Sequence, residues 1–254
     1  MIEILHRETG AVLVRVPAST LQGARLAGAR LRNGKLAGLD LTGADLTNAD
    51  LAGSDLRGAC LANARLVGAD LAGSDLTDAD CRGANLVGAK ILGANLTGAR
   101  FDQADATRAT FRMSYLTGTP PSFANARLPN AHFGQVNLPG VSFVGADLRE
   151  ANLSQAILRG ANLRGASLTS AVLAVTGLAG ADLRDADLTF AFLRSVALAG
   201  ALVDGLLLGG TTIVATPELS LVVGTPSCVG ELHLDQSSAA GIPESAEILR
   251  SRHP

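Results

Sequence analysis

The sequence predicts a solenoid, a chain wound into a coil of short sides, in place of a globular core. From Leu21 to Leu116 a large apolar residue returns at every fifth position, most regularly at Leu41, Leu46, Leu51, Leu56, Leu61, Leu66, Leu71 and Leu76. Two positions earlier stands a small residue, as in Ala44-Asp45-Leu46-Thr47-Asn48, with Leu39 an exception. A period of five fits neither the 3.6 of a helix nor the 2 of a strand, so each pentad reads as one side of a repeating coil. Composition agrees: aromatics make up 3% of the 254 residues, Trp is absent and Gly numbers 29, too little bulk for an ordinary core.

Residues 1–20 stand outside the period. Ile2 to Leu5 and Ala11 to Val16 are β-prone runs around His6-Arg7-Glu8-Thr9-Gly10, which reads as a hairpin capping the first coil. Residues 21–116 form the first array, in which Ala106 is the one small central residue. A Pro-containing break at 117–122, with Pro120-Pro121, shifts the phase. The second array runs from Phe123 through Leu128, Phe133, Leu138 and Phe143 to Ile213, so it spans 123–213. Phe101, Phe111, Phe123, Phe133 and Phe143 cluster at the break, where large rings fill a core widened by the insertion. Residues 214–254 form a tail with β-prone Leu219–Val223 and Leu232–Leu234 and a short helical run near Pro243–Arg250.

These residues resemble the pentapeptide-repeat family, whose pattern is Ala-(Asp/Asn)-Leu-X-X, over roughly residues 19–215. The resemblance implies an all-β fold, a right-handed quadrilateral β-helix of about ten coils. Four pentads close one coil, with the central residue and its small predecessor pointing inward. Elementary physics suits that picture, since each buried Leu contributes ~1.5–3 kcal/mol. Gly and Asn after the centre, as at Gly43 and Asn48, suit tight corners.

If twenty residues close a coil, outward side chains twenty apart stack in columns. One column reads Arg30, Asp50, Asp70, Lys90, another Lys35, Asp55, Asp75, Asn95, and a third Arg25, Asp45, Arg65, Asn85, Asp105. The candidate acidic patch is Asp40, Asp45, Asp50, Asp55, Asp70, Asp75, Asp78 and Asp80. Some members of the resembled family bind DNA gyrase and are held to imitate B-form DNA, and this segment would be the corresponding surface. Against that stand the basic residues bracketing it (Arg25, Arg30, Arg32 and Lys35 before, Lys90 and Arg100 after) and the mixed signs within columns, which favour a solvated wall.

Toward the C-terminus the outward positions turn apolar. Ile157, Val172, Val175, Phe190, Phe192, Leu202 and Leu207 form the candidate interaction patch, and exposed apolar surface of that kind marks a contact site. The tail or a second copy of the chain, giving a homodimer through the C-terminal half, would cover it.

No catalytic or cofactor-binding motif is present. Gly205–Gly210 lacks the Lys-Ser/Thr of a phosphate loop, the four His are scattered, and the Asp ladders do not converge into a metal cage. Cys60, Cys81 and Cys228 have neither disulfide nor zinc spacing and suggest a reducing, cytoplasmic setting. No apolar run is long enough for a membrane span. The net charge of −2, with no basic stripe, argues against nucleic acid as a partner. The expectation is therefore a non-catalytic protein-interaction scaffold without cofactor or metal, whose partner is another protein. A gyrase-binding DNA mimic conferring quinolone-type protection is the alternative.

Overall fold

The computed structural model describes residues 1–214 together with His233 and Leu234. The described residues contain no helix. The strands are β1 (Ile2–His6), β2 (Val12–Val16), β3 (Gly34–Lys35), β4 (Val172–Ala174), β5 (Phe192–Arg194), β6 (Thr212–Val214) and β7 (His233–Leu234). Most of the solenoid is built from single parallel bridges between residues twenty apart.

One pentad shows why the period holds. In Ala44–Asn48, Asp45 N donates to Ala24 O of the preceding coil at 2.9 Å. Leu46 N and Asn48 N donate to Arg65 O and Val67 O of the following coil, each at 2.8 Å, and Ala44 N closes a turn on Leu41 O at 2.9 Å. Four of the five N–H groups are thus paired by backbone alone, three of them between coils. The side chain of Leu46 is fully buried, as are those of Ala44 and Ala49. Asn48 turns the chain with a φ of 55°, a left-handed conformation that Gly and Asn adopt at low cost.

Four columns of outward residues result. The first runs Arg25, Asp45, Arg65, Asn85, Asp105, Arg127, Asp147, Ser167, Asp187, Leu207. The second runs Arg30, Asp50, Asp70, Lys90, Thr110, His132, Asn152, Val172 and passes into β5 at Phe192. The third starts at Lys35 and reaches Asn137, Ile157, Gly177 and Ala197, and the fourth runs from Asp40 through Cys60 and Asp80 to Leu202. Asp50 and Asp70 are direct neighbours, as a twenty-residue turn requires.

At the N-terminus β1 pairs antiparallel with β2, Ile2 opposite Val16, and with β3, Leu5 opposite Lys35. The hairpin thereby covers the free edge of the third column, and Ile4 is buried in the core. Arg7 anchors it, donating from N to Asn33 O at 2.8 Å and from a guanidinium nitrogen to Gly53 O at 2.8 Å. Gly34 replaces the usual Ala beneath it. A Cβ there would lie 2.7 Å from Leu31 O, the carbonyl to which the buried Ser54 hydroxyl donates at 2.7 Å.

The break adds two residues to a single coil. Bridges from Arg100–Ser122 to Tyr115–Asn137 span 22 residues, and the spacing returns to 20 at Ser122–Ser142. The columns continue unbroken because Gly98 N still reaches Thr119 O at 2.7 Å. Inside, the five Phe form one stack from two sides of the coil. Phe101 and Phe123 lie parallel at 4.7 Å, as do Phe111 and Phe133. The two sets meet edge-on at 5.2 Å for Phe111–Phe123 and 5.6 Å for Phe123–Phe133. Such geometry adds ~0.5–1.5 kcal/mol per pair to area burial.

Replacing Phe123, which touches four other rings, by Ala is predicted to destabilise the protein by about 3–5 kcal/mol in equilibrium denaturation. A loss below about 1 kcal/mol would mean that the stack does not support the break.

Candidate functional site

The fifth N–H of the pentad decides what the acidic residues do. It belongs to the residue after the centre, and no neighbouring coil offers it a carbonyl. In the Ala44–Asn48 pentad Thr47 N donates to Asp45 Oδ1 at 3.1 Å. The same side-chain turn recurs at Thr42 on Asp40, Ala52 on Asp50, Arg57 on Asp55, Ala72 on Asp70, Thr77 on Asp75 and Arg82 on Asp80, at 3.0 to 3.3 Å. Asn85, Asn95, Asn152 and Asn162 serve identically without charge. Asp and Asn suit the position before the centre because their short side chains supply that acceptor, which Arg25, Arg65 and Lys90 in the same slot do not.

The eight Asp of the candidate acidic patch do not share a face. Asp45 belongs to the first column, Asp50 and Asp70 to the second, Asp55 and Asp75 to the third, and Asp40 and Asp80 to the fourth. Asp78 sits apart at a turn, with φ 56°, leaning over Gly98. Two of the eight are also neutralised by an Arg two residues on. Arg57 grips Asp55 with two bonds at 2.8 and 2.7 Å, and Arg82 grips Asp80 in the same way. Arg149–Asp147 and Arg184–Asp182 repeat the clasp. These guanidinium bonds hold the carboxyls of Asp55, Asp80, Asp147 and Asp182 below the usual range. Sequence reasoning missed both roles, although Asp-X-Arg across each centre was there to be read.

The apolar candidates divide as well. Val172 and Phe192 lie in the second column, and strands β4, β5 and β6 pair in parallel there, Val172 beside Phe192 and Phe192 beside Thr212. Val and Phe offer no side-chain acceptor for such a turn and Thr only a weaker hydroxyl, and all three have high strand propensity, so the chain extends into three-residue strands. Val175 sits at the turn after the second column and Phe190 at the turn before it, both with left-handed backbone, φ 58° and 59°. They are 57% and 67% exposed. Ile157, also exposed, stands in the third column beside the corner of Val175, at a shallow depression lined by Asn137, Pro139, Arg159, Gly160 and Ala179. Leu202 and Leu207 belong instead to the fourth and first columns and are half-buried, so they join a different part of the surface. The ring of Phe190 lies over Gly210, where a Cβ would come within 2.5 Å of it. A second exposed group, Leu92, Met113 and Tyr115, surrounds the break and was not anticipated.

His233–Leu234 extend the second column as β7, parallel to β6, and so continue the stack. Leu219–Val223 and Pro243–Arg250 lie outside the described residues. Cys81 is buried at a centre, and burial pushes its thiol pKa far up. Cys60 is half-buried between Asp40 and Asp80, 3.1 Å from Thr42 Oγ1. Among the described residues no group of three or more His, Cys, Asp and Glu is placed to hold a metal, and no helix is long and apolar enough to cross a membrane.

With its inward Leu/Ala register and outward Asx ladder, the chain belongs to the pentapeptide-repeat family. The family's repeat profile matches eight copies over residues 24–62, 61–91, 93–119, 122–155 and 146–174. Its proteins are generally structural or binding modules and not enzymes. Among solved structures, the chain is similar to HetL of the cyanobacterium Nostoc sp. strain PCC 7120, a pentapeptide repeat protein involved in heterocyst differentiation regulation. The two are 28% identical, over 85% of this chain and 90% of HetL, with a TM-score of 0.53. A pentapeptide repeat protein of the Arabidopsis thaliana thylakoid lumen is 31% identical over 40% of this chain and 69% of its own, with a TM-score of 0.38. QnrB1, a plasmid-mediated fluoroquinolone resistance protein, is 17% identical over 89% of this chain and 98% of its own, with a TM-score of 0.43. No curated protein matches in sequence.

Two expectations separate charge from acceptor. Asp70→Asn keeps the bond from Ala72 N and removes repulsion from Asp50, so its stability should equal or exceed that of the wild type. Asp70→Ala strands that N–H and should cost about 0.5–1.5 kcal/mol in denaturant melts. The second concerns pH. A carboxyl whose pKa is lowered by folding contributes stability above its unfolded value, near ~4, and loses it as pH falls through the folded value. Asp55, Asp80, Asp147 and Asp182 should therefore make the melting temperature fall as pH drops below about 4, and their fourfold Asn variant should flatten that fall.

Proposed function

We propose that this chain is a non-catalytic protein-binding scaffold, a right-handed quadrilateral β-helix of about ten coils with flat walls offered to another protein. Four columns per twenty residues support the square section, and the likeness to HetL supports the type of fold. The observation that carries the functional reading is the apolar stretch around the second column: exposed Phe192 and half-buried Val172 on the wall, exposed Val175 and Phe190 at its corners, and exposed Ile157 beside it. Gly, Asn, Asp, Gln and Ser occupy most of the other left-handed turns. A β-branched and an aromatic residue held there at a conformational cost point to selection for contact. HetL's involvement in a regulatory process suits a module that works by binding.

The gyrase-binding alternative gains nothing from the charge distribution. The Asp side chains are dispersed over four walls, engaged by backbone N–H groups and in part clasped by Arg. A phosphate-like surface needs continuous, unpaired negative charge. The cytoplasmic, reducing setting rests on the cysteine spacing alone.

Met113 is exposed to the same 57% as Val175 and serves as an internal standard for carbene footprinting of the chain in native cell extract. The scaffold reading expects Val175 and Phe190 to be labelled several-fold less than Met113. Labelling in proportion to exposure at all three would overturn it.

A further inference from the structure

The second wall carries three successive rungs from which the side-chain acceptor is missing. Asp50, Asp70 and Asn152 each take the N–H of the residue two positions on, at Ala52, Ala72 and Ser154. Between Asp70 and Asn152 the column reads Lys90, Thr110, His132, and the N–H groups of Leu92, Arg112 and Gly134 have no acceptor among the described residues. An outward Asx side chain receives this N–H elsewhere, so the three face the outer surface in a row, about 4.8 Å apart. Cations surround the row. Lys90 and His132 lie in the column, Arg112 beside it and Arg108 on the corner before it; all four are exposed, and none forms an ion pair among the described residues. Arg112 also occupies the slot from which Arg57 clasps Asp55. There Asp55 Oδ1 accepts the Arg57 backbone N–H at 3.3 Å and its Nε at 2.8 Å, and Oδ2 accepts Nη2 at 2.7 Å. Thr110 stands where that Asp would be, so the clasp of Arg112 lacks its carboxylate. The guanidinium is held ready all the same. Its side chain passes over Gly134, with Cγ and Nε each 4.0 Å from where a Cβ would stand, and Nη2 donates to Gln135 Oε1 at 3.3 Å. Gln135 in turn donates to Gln155 Oε1 at 3.0 Å.

From this we propose that the second wall between Lys90 and His132 binds a short acidic segment of another protein, whose carboxylates replace the Asp side chains missing from these rungs. Carboxylate is the group that the same slot holds at Asp55, Asp80, Asp147 and Asp182, and it would meet an unpaired backbone N–H and a positioned guanidinium together. The first and third rungs lie about 10 Å apart, room for two or three carboxylates, and exposed Leu92 at one end offers a seat for an apolar side chain of the segment. Charge complementarity also limits the length of the occupant. A nucleic-acid strand continuing along the wall would run onto Asp70 and Asp50 in the same column, or past Glu150 on the corner two coils beyond Arg108, and be repelled. This site lies on the N-terminal side of the apolar stretch and does not depend on it. Met113, on the corner beyond Arg112, stays outside the strip.

The test is an NMR titration of the isotope-labelled full-length chain with the end-blocked peptide Gly-Glu-Glu-Leu-Glu-Glu-Gly. The amide protons of Leu92, Arg112 and Gly134 should move downfield and saturate together, and the same peptide with Gln in place of Glu should leave them where they are. Thr110→Asp supplies the missing carboxylate from within the chain. It should keep the circular dichroism and melting temperature of the wild type, or raise the latter, and weaken the peptide by about tenfold or more. Arg112→Gln removes the guanidinium without filling the slot and should weaken the peptide as well. Three results would each overturn the inference: no movement of the three amides, an affinity undiminished in both variants, or a thymidylate oligonucleotide or inorganic phosphate binding at these amides as tightly as the peptide. The last would make the row a phosphate site. None of them bears on the shielding of Val175 and Phe190, which tests the other surface separately.

Discussion

Everything in this molecule depends on pairing the backbone N–H groups of a chain that turns every five residues. Tight turns consume residues that a sheet would use for its ladder, and a solenoid of single bridges has little tolerance for an unpaired donor. The solution is regular. Three N–H groups reach adjacent coils, one closes the turn, and the last is taken by the side chain wherever Asp or Asn precedes the centre. Leu at the centre and Ala before it then fill an interior with room for little else, and each coil is the template for the next.

That division of labour explains which parts of the fold were legible in the sequence. The Leu and Ala positions announce burial, and a period of five cannot be mistaken for a helix or strand, so the column partners follow from counting alone. Asp50 above Asp70 and Asn137 above Ile157 are arithmetic once the coil length is fixed. Counting by twenty fails only across the break, where Arg100 pairs with Ser122, because the two extra residues near Pro120 and Pro121 are absorbed within one side. The role of the Asp residues was not legible in the same way. Composition shows charge, whereas the structure uses their oxygens as local acceptors, and Asn in the same slots was the clue that charge is secondary. The Phe cluster was visible as a cluster, but its alternating parallel and edge-on order depends on rings from two sides of the coil meeting at the axis.

The candidate surface was partly readable for a related reason. Outward positions that lose their polar residue are conspicuous against a repetitive background, which singled out Val172, Phe192 and Ile157. Grouping them required knowing the walls, and Leu202 and Leu207 fall on other sides of the coil. Turn residues are harder still. Val175 and Phe190 gain their meaning from left-handed backbone, which sequence does not display for residues of that kind. A solenoid of this type assigns its positions distinct tasks: inward and Asx positions hold the coil, corner positions must accept a left-handed backbone, and the remaining outward positions face solvent.

The most direct measurement of the central constraint is amide hydrogen exchange at two matched positions one coil apart. Val87 follows Asn85 and its N–H donates to Asn85 Oδ1 at 3.2 Å, whereas Val67 follows Arg65 in the same column and has no such acceptor. Their surroundings are otherwise alike, since both are flanked by fully paired neighbours. Slow exchange at Val87 with near-unprotected exchange at Val67 is the predicted result. Equal protection at the two sites would show that the side-chain acceptor is dispensable, and would contradict the account of why Asp and Asn recur around this coil.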